Sequence, residues 1–163
     1  MQDWHVPLVI AAAVFGAFML WKVRPAAFSG GGGKMRALIR DAQKRIEEAK
    51  DDVARAAALA DAGDAAARAL GPSRAIGFYL RAMRLEPAST ELVDRAAKAL
   101  AHRPRALESL LWRRLSAAPW TGASANAARA ALGHLAALYA GPLHNQIRAR
   151  AIEHALAALS HAP

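Results

Sequence analysis

The sequence predicts an all-α protein in which an N-terminal transmembrane helix precedes a series of helical hairpins. Three observations carry that reading. Aromatic residues make up 6% of the chain and β-branched residues are scarce beyond Val53, which disfavours strands. Residues 6–23 form one nearly unbroken apolar run. Beyond them, apolar positions recur at helical spacing and are interrupted at Pro- and Gly-containing turns. A compact helical bundle is the alternative arrangement of the same helices.

The run from Val6 to Val23 comes first. At about 1.5 Å per residue, some eighteen residues cover roughly 27 Å, enough to cross a bilayer core. Trp4 and Trp21 flank it, where interfacial aromatics gather. Ala26 and Ala27 offer the small residues of a signal-peptide cleavage site, but no Lys or Arg precedes the run, so an uncleaved single-pass anchor over 1–24 is the expectation. Lys22, Arg24, Lys34, Arg36 and Arg40 all precede the first acidic residue after the run, Asp41, while the other flank offers only Asp3. The positive-inside rule then puts the N-terminus outside and the rest of the chain in the cytoplasm. A bacterial inner membrane is the expected location, and an Ala- and Arg-rich composition is also what a GC-rich bacterial genome gives, which is the plainer account of the basic charge. Residues 25–33 contain Ser29 followed by four glycines and read as a flexible linker.

Residues 34–163 are expected to form one helical domain with a long first helix. From Lys34 to Leu70 there is no proline, and Gly63 is the first glycine after the linker. Met35, Ile39, Ala42, Ile46, Ala49, Val53, Ala56 and Ala60 alternate at steps of four and three, the spacing of a helix-packing seam. Asp41 with Arg45, Lys44 with Glu48 and Asp51 with Arg55 are spaced for pairing on the outer faces. Such a seam packs onto the chain's own next helices or onto a second copy.

The stretch Ala75 to Pro87 then has Ala75, Tyr79 and Ala82 on one stripe, with Pro87 to stop the helix. Small residues let two helices approach and the aromatic fills the space between them. This resembles the second helix of a tetratricopeptide repeat. The first-helix places of that signature fall on Leu59, Ala62, Gly63 and Ala66, with Gly71-Pro72 as the turn and Ser73 as the expected N-cap. A more degenerate unit follows, with Ser89 or Thr90 as cap, Val93, Ala96, Ala97 and Leu100 in its first helix, and Leu107, Leu110, Leu111 and Leu115 in its second. A third pair has Leu132, Leu135, Ala136 and Tyr139, then Gly141-Pro142, then a small-residue stripe of Ala151, Ala155 and Ala158. The resemblance implies an α-solenoid and a protein-binding role. It points to a concave face on Ala57, Ala60, Asp64, Ala67 and Arg68. No polar capping helix follows Leu159, so Leu143, Ile147, Ile152, Leu156 and Leu159 need cover from preceding helices, a partner or a second copy.

The formal charge of +9 favours anionic neighbours. A basic surface is expected at Arg74, Arg81 and Arg84 with Arg113 and Arg114, near Trp112 and Trp120. Catalysis is not expected, because no nucleophile elbow, phosphate loop or paired-histidine metal face occurs, and Glu47, Glu48, Asp51 and Asp52 spread around a solvated helix. The chain has no cysteine, and no cofactor is expected. The expected function is a non-catalytic, membrane-anchored interaction scaffold or accessory subunit of a membrane complex. Its partners are membrane or cytoplasmic proteins, met through Asp64, Arg68, Arg74, Arg81, Arg84, Arg113, Arg114 and Leu156, and the bilayer through residues 6–23. Self-association into a homo-oligomer is the alternative. A basic module for lipid or nucleic acid is a further one, though nothing resembles a nucleic-acid recognition motif or stacking platform.

Overall fold

The stretch expected to form a single helix from Lys34 to Leu70 is two helices, and Asp51 is the reason. In a computed structural model, which describes residues 32–117 and 119–161, α1 spans Gly32–Glu48 and α2 spans Asp52–Ala69. Asp51 sits between them in an extended conformation, its carboxylate accepting from the Ala54 amide at 2.6 Å. That N-cap satisfies an amide with no partner inside the helix, so the chain gains by restarting here. Two of the expected surface pairs change as a result. Arg55 pairs with Asp52 at 3.3 Å because Asp51 is engaged in capping, and Arg45 reaches Asp61 at 3.3 Å rather than Asp41. Lys44 and Glu48 pair at 3.7 Å as the spacing predicts. The seam is interrupted at the break: Ala42 is buried and Val53 is 63% exposed, while Ala56 and Ala60 beyond it are again fully buried. The apolar run at 6–23 and the linker before Gly32 lie outside the described residues. No helix among the described residues is long and apolar enough to cross a membrane.

Gly71, at φ 100°, turns the chain into α3, Pro72–Leu85. That backbone region admits glycine without steric cost, and Pro72 occupies the first helical position, where a missing N–H is harmless. Ser73 is therefore an exposed first-turn residue and not the cap. The expected stripe is interior: Ala75, Tyr79 and Ala82 have no solvent exposure. Gly63 on α2 faces the Tyr79 ring so closely that a Cβ there would lie 2.9 Å from Cε2. Leu59, Ala62 and Ala66 complete the facing surface, all buried.

Ser89 caps α4, Thr90–Ala99, by accepting from the Leu92 amide at 3.3 Å. Val93, Ala96, Ala97 and Leu100 repeat the buried places of α2 at a constant offset. α5 spans Pro104–Ala117 and buries Leu107, Leu110, Leu111 and Leu115 as its spacing predicts. The Trp120 indole donates to the Leu115 carbonyl at 2.8 Å and the Ser124 hydroxyl to the Pro119 carbonyl at 2.6 Å, which ties down the passage into α6, Ala125–Ala140. After Gly141-Pro142, Asn145 accepts from the Arg148 amide at 3.1 Å and caps α7, Gln146–His161.

The stripe of the last helix differs from the expected alanines. Ala149 and Ile152 are buried and Leu156 and Leu159 pack partly against the core, while Ala151 and Ala158 are exposed and Ala155 is half-buried. Burying a branched side chain removes more apolar area from water than burying a methyl, and the helix rotates accordingly. The preceding helices thus cover most of the end, except that Ile147 stays 84% exposed.

Among the described residues every regular element is helical. From α2 onward the helices pack on those one and two places along the sequence. α2 packs on α3 and α6 on α7, α2, α4 and α6 contact in succession, and α3 packs on α5. One continuous core runs through these contacts, with Tyr79, Tyr139, Leu59, Leu100, Leu110, Leu111, Leu132 and Leu135 as its largest fully buried side chains.

Candidate interaction surfaces

Each of the chain's two tyrosines anchors a polar node at a junction of three helices. Tyr79 of α3 donates its phenol to the Asp64 carboxylate of α2. Arg95 of α4 donates to the same carboxylate at 2.8 and 2.6 Å and to Asp61 at 2.5 Å. Burial, and after it the Asp64 carboxylate, push the Tyr79 phenol well above the ordinary tyrosine range. Burial acts to lower the Arg95 pKa, yet the hydrogen bonds to Asp61 and Asp64 outweigh it and the guanidinium is held more firmly charged than usual. Through Asp64 and Asp61 the phenol and the guanidinium tie α2, α3 and α4 together.

The second node has the same parts. Tyr139 of α6 donates to Glu108 of α5 and accepts from the Trp112 indole at 3.0 Å. Arg148 of α7 lies 3.5 Å from Glu108, with its guanidinium 5.5 Å from the centre of the Tyr139 ring. In both nodes the carboxylate comes from the helix before the tyrosine and the arginine from the helix after it. Sequence reasoning missed both nodes. A tyrosine inside an apolar stripe signals that a hydroxyl needs a partner, but which carboxylate supplies it is decided by packing.

These contacts sort the expected binding residues. Asp64 is committed to Tyr79 and Arg95, whereas Arg68 stands exposed beside it at the rim of a 320 Å³ hollow shared with Arg95 and Lys98. Ala60 and Ala67, expected on the concave face, are buried, because α4 packs against α2 there; Ala57 is exposed. Leu156 packs half-buried against the core and is a packing residue.

The five arginines of the basic surface divide between two grooves beside α3. Arg74 and Arg81 line a 350 Å³ groove floored by Ile39, Leu70 and Phe78. Arg84 and Arg113 line a 510 Å³ groove between α3 and α5, floored by Leu80, Met83, Pro87 and Pro119. Arg114 belongs to the second groove by position but is only 3% exposed, and it donates to the Pro87 carbonyl. Burial lowers its pKa from the ordinary arginine range. It ties α5 to the end of α3 and is not available to a ligand. Trp112 turns away from this surface toward Tyr139, while Trp120 stays beside the end of α5.

His134 contacts Asp94 at 2.7 Å between α6 and α4. Among the described residues no group of three His, Cys, Asp or Glu side chains is arranged to hold a metal ion. Comparison with family models, curated proteins and solved structures gives no match to this chain.

Proposed function

We propose that this chain is a membrane-anchored, non-catalytic interaction scaffold or accessory subunit of a bacterial inner-membrane complex, and that its helical part is an α-solenoid of the tetratricopeptide type. The observation that carries the fold reading is the interface between α2 and α3. Leu59, Ala62, Gly63, Ala66, Ala75, Tyr79 and Ala82 are all interior, and Gly63 gives up its side chain to the Tyr79 ring. The offset from these places to Val93, Ala96, Ala97 and Leu100 equals that family's period of about 34 residues. Hairpins that pack on their sequence neighbours expose long surfaces on both sides, which suits binding more than catalysis. Anchorage rests on the apolar run at 6–23 and its basic flank.

The partner surface lies on α3. Arg74, Arg81, Arg84 and Arg113 form no ion pair among the described residues, in contrast to Arg45, Arg55, Arg95 and Arg148. Purification of the tagged full-length protein from its native membranes in mild detergent, followed by mass spectrometry, tests the reading. One or two stoichiometric proteins are expected, and they are lost in Arg81→Glu/Arg84→Glu while the helical circular dichroism is unchanged. Recovery of the chain alone, at the mass of one copy, refutes it. Self-association is the second reading, favoured by Ile147 standing 84% exposed on α7; recovery of the chain alone at a multiple of its mass selects it.

A further inference from the structure

We propose that the α3–α5 face docks on an anionic bilayer surface, so that the helical domain lies against the membrane with its basic side down. It rests on the anchor of the reading above and departs from it in what occupies α3: lipid headgroups, with an acidic protein segment as the outcome that overturns it. The observation is a segregation of charge between the helices of each hairpin. The first helices, α2, α4 and α6, carry five Lys and Arg against five Asp and Glu. The second helices, α3, α5 and α7, carry eight Arg against two Glu. Of those two carboxylates, Glu108 is held by Tyr139 and Arg148.

α3 is the extreme case, with three arginines and no acid. Arg74, Arg81 and Arg84 fall on one exposed stripe, Arg113 faces it across the 510 Å³ groove, and no carboxylate lines either groove beside α3. Unpaired like charges repel one another, so holding them on one stripe disfavours the free domain unless an anionic surface neutralises them. Trp120, 36% exposed at the end of α5, adds the amphipathic ring that settles at a headgroup layer. An acidic protein segment would meet one groove, whereas the positive charge here extends over both grooves and onto α5. A lipid surface matches that breadth. A domain on so short a Gly-rich linker also meets the bilayer at high effective concentration, so a few arginines suffice to hold it.

The absence of cysteine makes the test direct. Single variants Ser73→Cys on α3, Ser116→Cys on α5 and Ala57→Cys on α2, all at exposed positions, carry a fluorophore on the full-length chain in nanodiscs. Headgroup-labelled quencher lipid reads their distance from the bilayer. With about 30 mol% phosphatidylglycerol in phosphatidylcholine, quenching is expected to be several-fold greater at Ser73 and Ser116 than at Ala57. The difference is expected to disappear in pure phosphatidylcholine, at about 0.5 M salt, and in Arg74→Glu/Arg81→Glu/Arg84→Glu with unchanged circular dichroism. Equal quenching on both faces, or quenching indifferent to phosphatidylglycerol, overturns the proposal and returns the arginines to an acidic protein partner. Alkaline carbonate extraction of the full chain tests the anchor separately. If carbonate releases the chain, anchorage fails, and co-sedimentation of that chain with the same vesicles still decides the lipid face.

Discussion

Replacing Tyr79 by Phe removes one oxygen from the close-packed junction of α2 and α3 and leaves everything else in place. The ring has no exposed surface, and a phenylalanine fills the same volume against Gly63, so no cavity opens. What is lost is a hydrogen bond from the phenol to the Asp64 carboxylate, of a kind worth about 1.5–3 kcal/mol. Asp64 keeps both bonds from Arg95, at 2.8 and 2.6 Å, so the carboxylate is not orphaned and the lower figure applies. A loss of about 1.5 kcal/mol lowers the melting temperature of a domain this size by roughly 5 °C. The same variant carries a pH signature. Burial and Asp64 raise the folded-state pKa of the phenol, whereas in the unfolded chain it ionises near about 10. Above that pH the unfolded state has lost a proton that the folded state keeps. Stability contributed by Tyr79 is therefore complete below about pH 10 and falls by about 1.4 kcal/mol per pH unit above it. Urea titrations of the full-length protein and Tyr79→Phe in detergent, at neutral pH and between about pH 10 and 11, measure both effects. The variant is expected to be weaker at neutral pH and to lose stability less steeply in alkali. Equal stability at neutral pH together with an unchanged alkaline slope would refute the role assigned to the phenol.

Three further outcomes follow from the packing. Gly63→Ala gains about 1 kcal/mol of helix propensity but forces the Tyr79 ring from its place, so a net loss of about 1–2 kcal/mol is expected; the loss should shrink when Tyr79 is also made Leu, and additive losses in that double-mutant cycle would count against the close approach. Asp51→Ala removes the N-cap of α2 and should cost about 1 kcal/mol in a thermal melt, whereas an unaltered or higher midpoint would favour a continuous helix from α1. Arg114→Ala leaves the Pro87 carbonyl without its donor and opens a buried site, at an expected cost of about 2–3 kcal/mol. Its folded fraction should retain whatever partner Arg81→Glu/Arg84→Glu loses, and loss of the partner by folded Arg114→Ala would reassign that arginine to the binding surface.

Several elements were legible because their signals are local. The stripe Ala75, Tyr79 and Ala82 with Gly63 opposite needs only helical periodicity and side-chain size, and the structure buries all four. The leucines of α5 follow for the same reason. The break at Asp51 was harder, since an aspartate inside a charged, proline-free stretch serves equally as a surface residue or a cap. The periodicity of α7 misled because two apolar stripes share that helix, one of alanines and one with Ile152, Leu156 and Leu159. Choosing between them requires the shape of the surface that α6 presents.

The basic surface divides in the same way. The sequence by itself determines that the domain is helical, that Pro- and Gly-containing turns separate its helices from α2 onward, and that α3 holds arginines without acids, because composition and period are properties of short windows. Only the tertiary structure decides that Asp64 and Arg114 serve the fold while Arg74, Arg81, Arg84 and Arg113 remain free. A charged side chain is a tie or a binding group according to what stands within about 3 Å of it. That neighbour comes from a helix 15 to 34 residues away for Tyr79 and Arg95, a separation at which sequence spacing no longer specifies which groups meet.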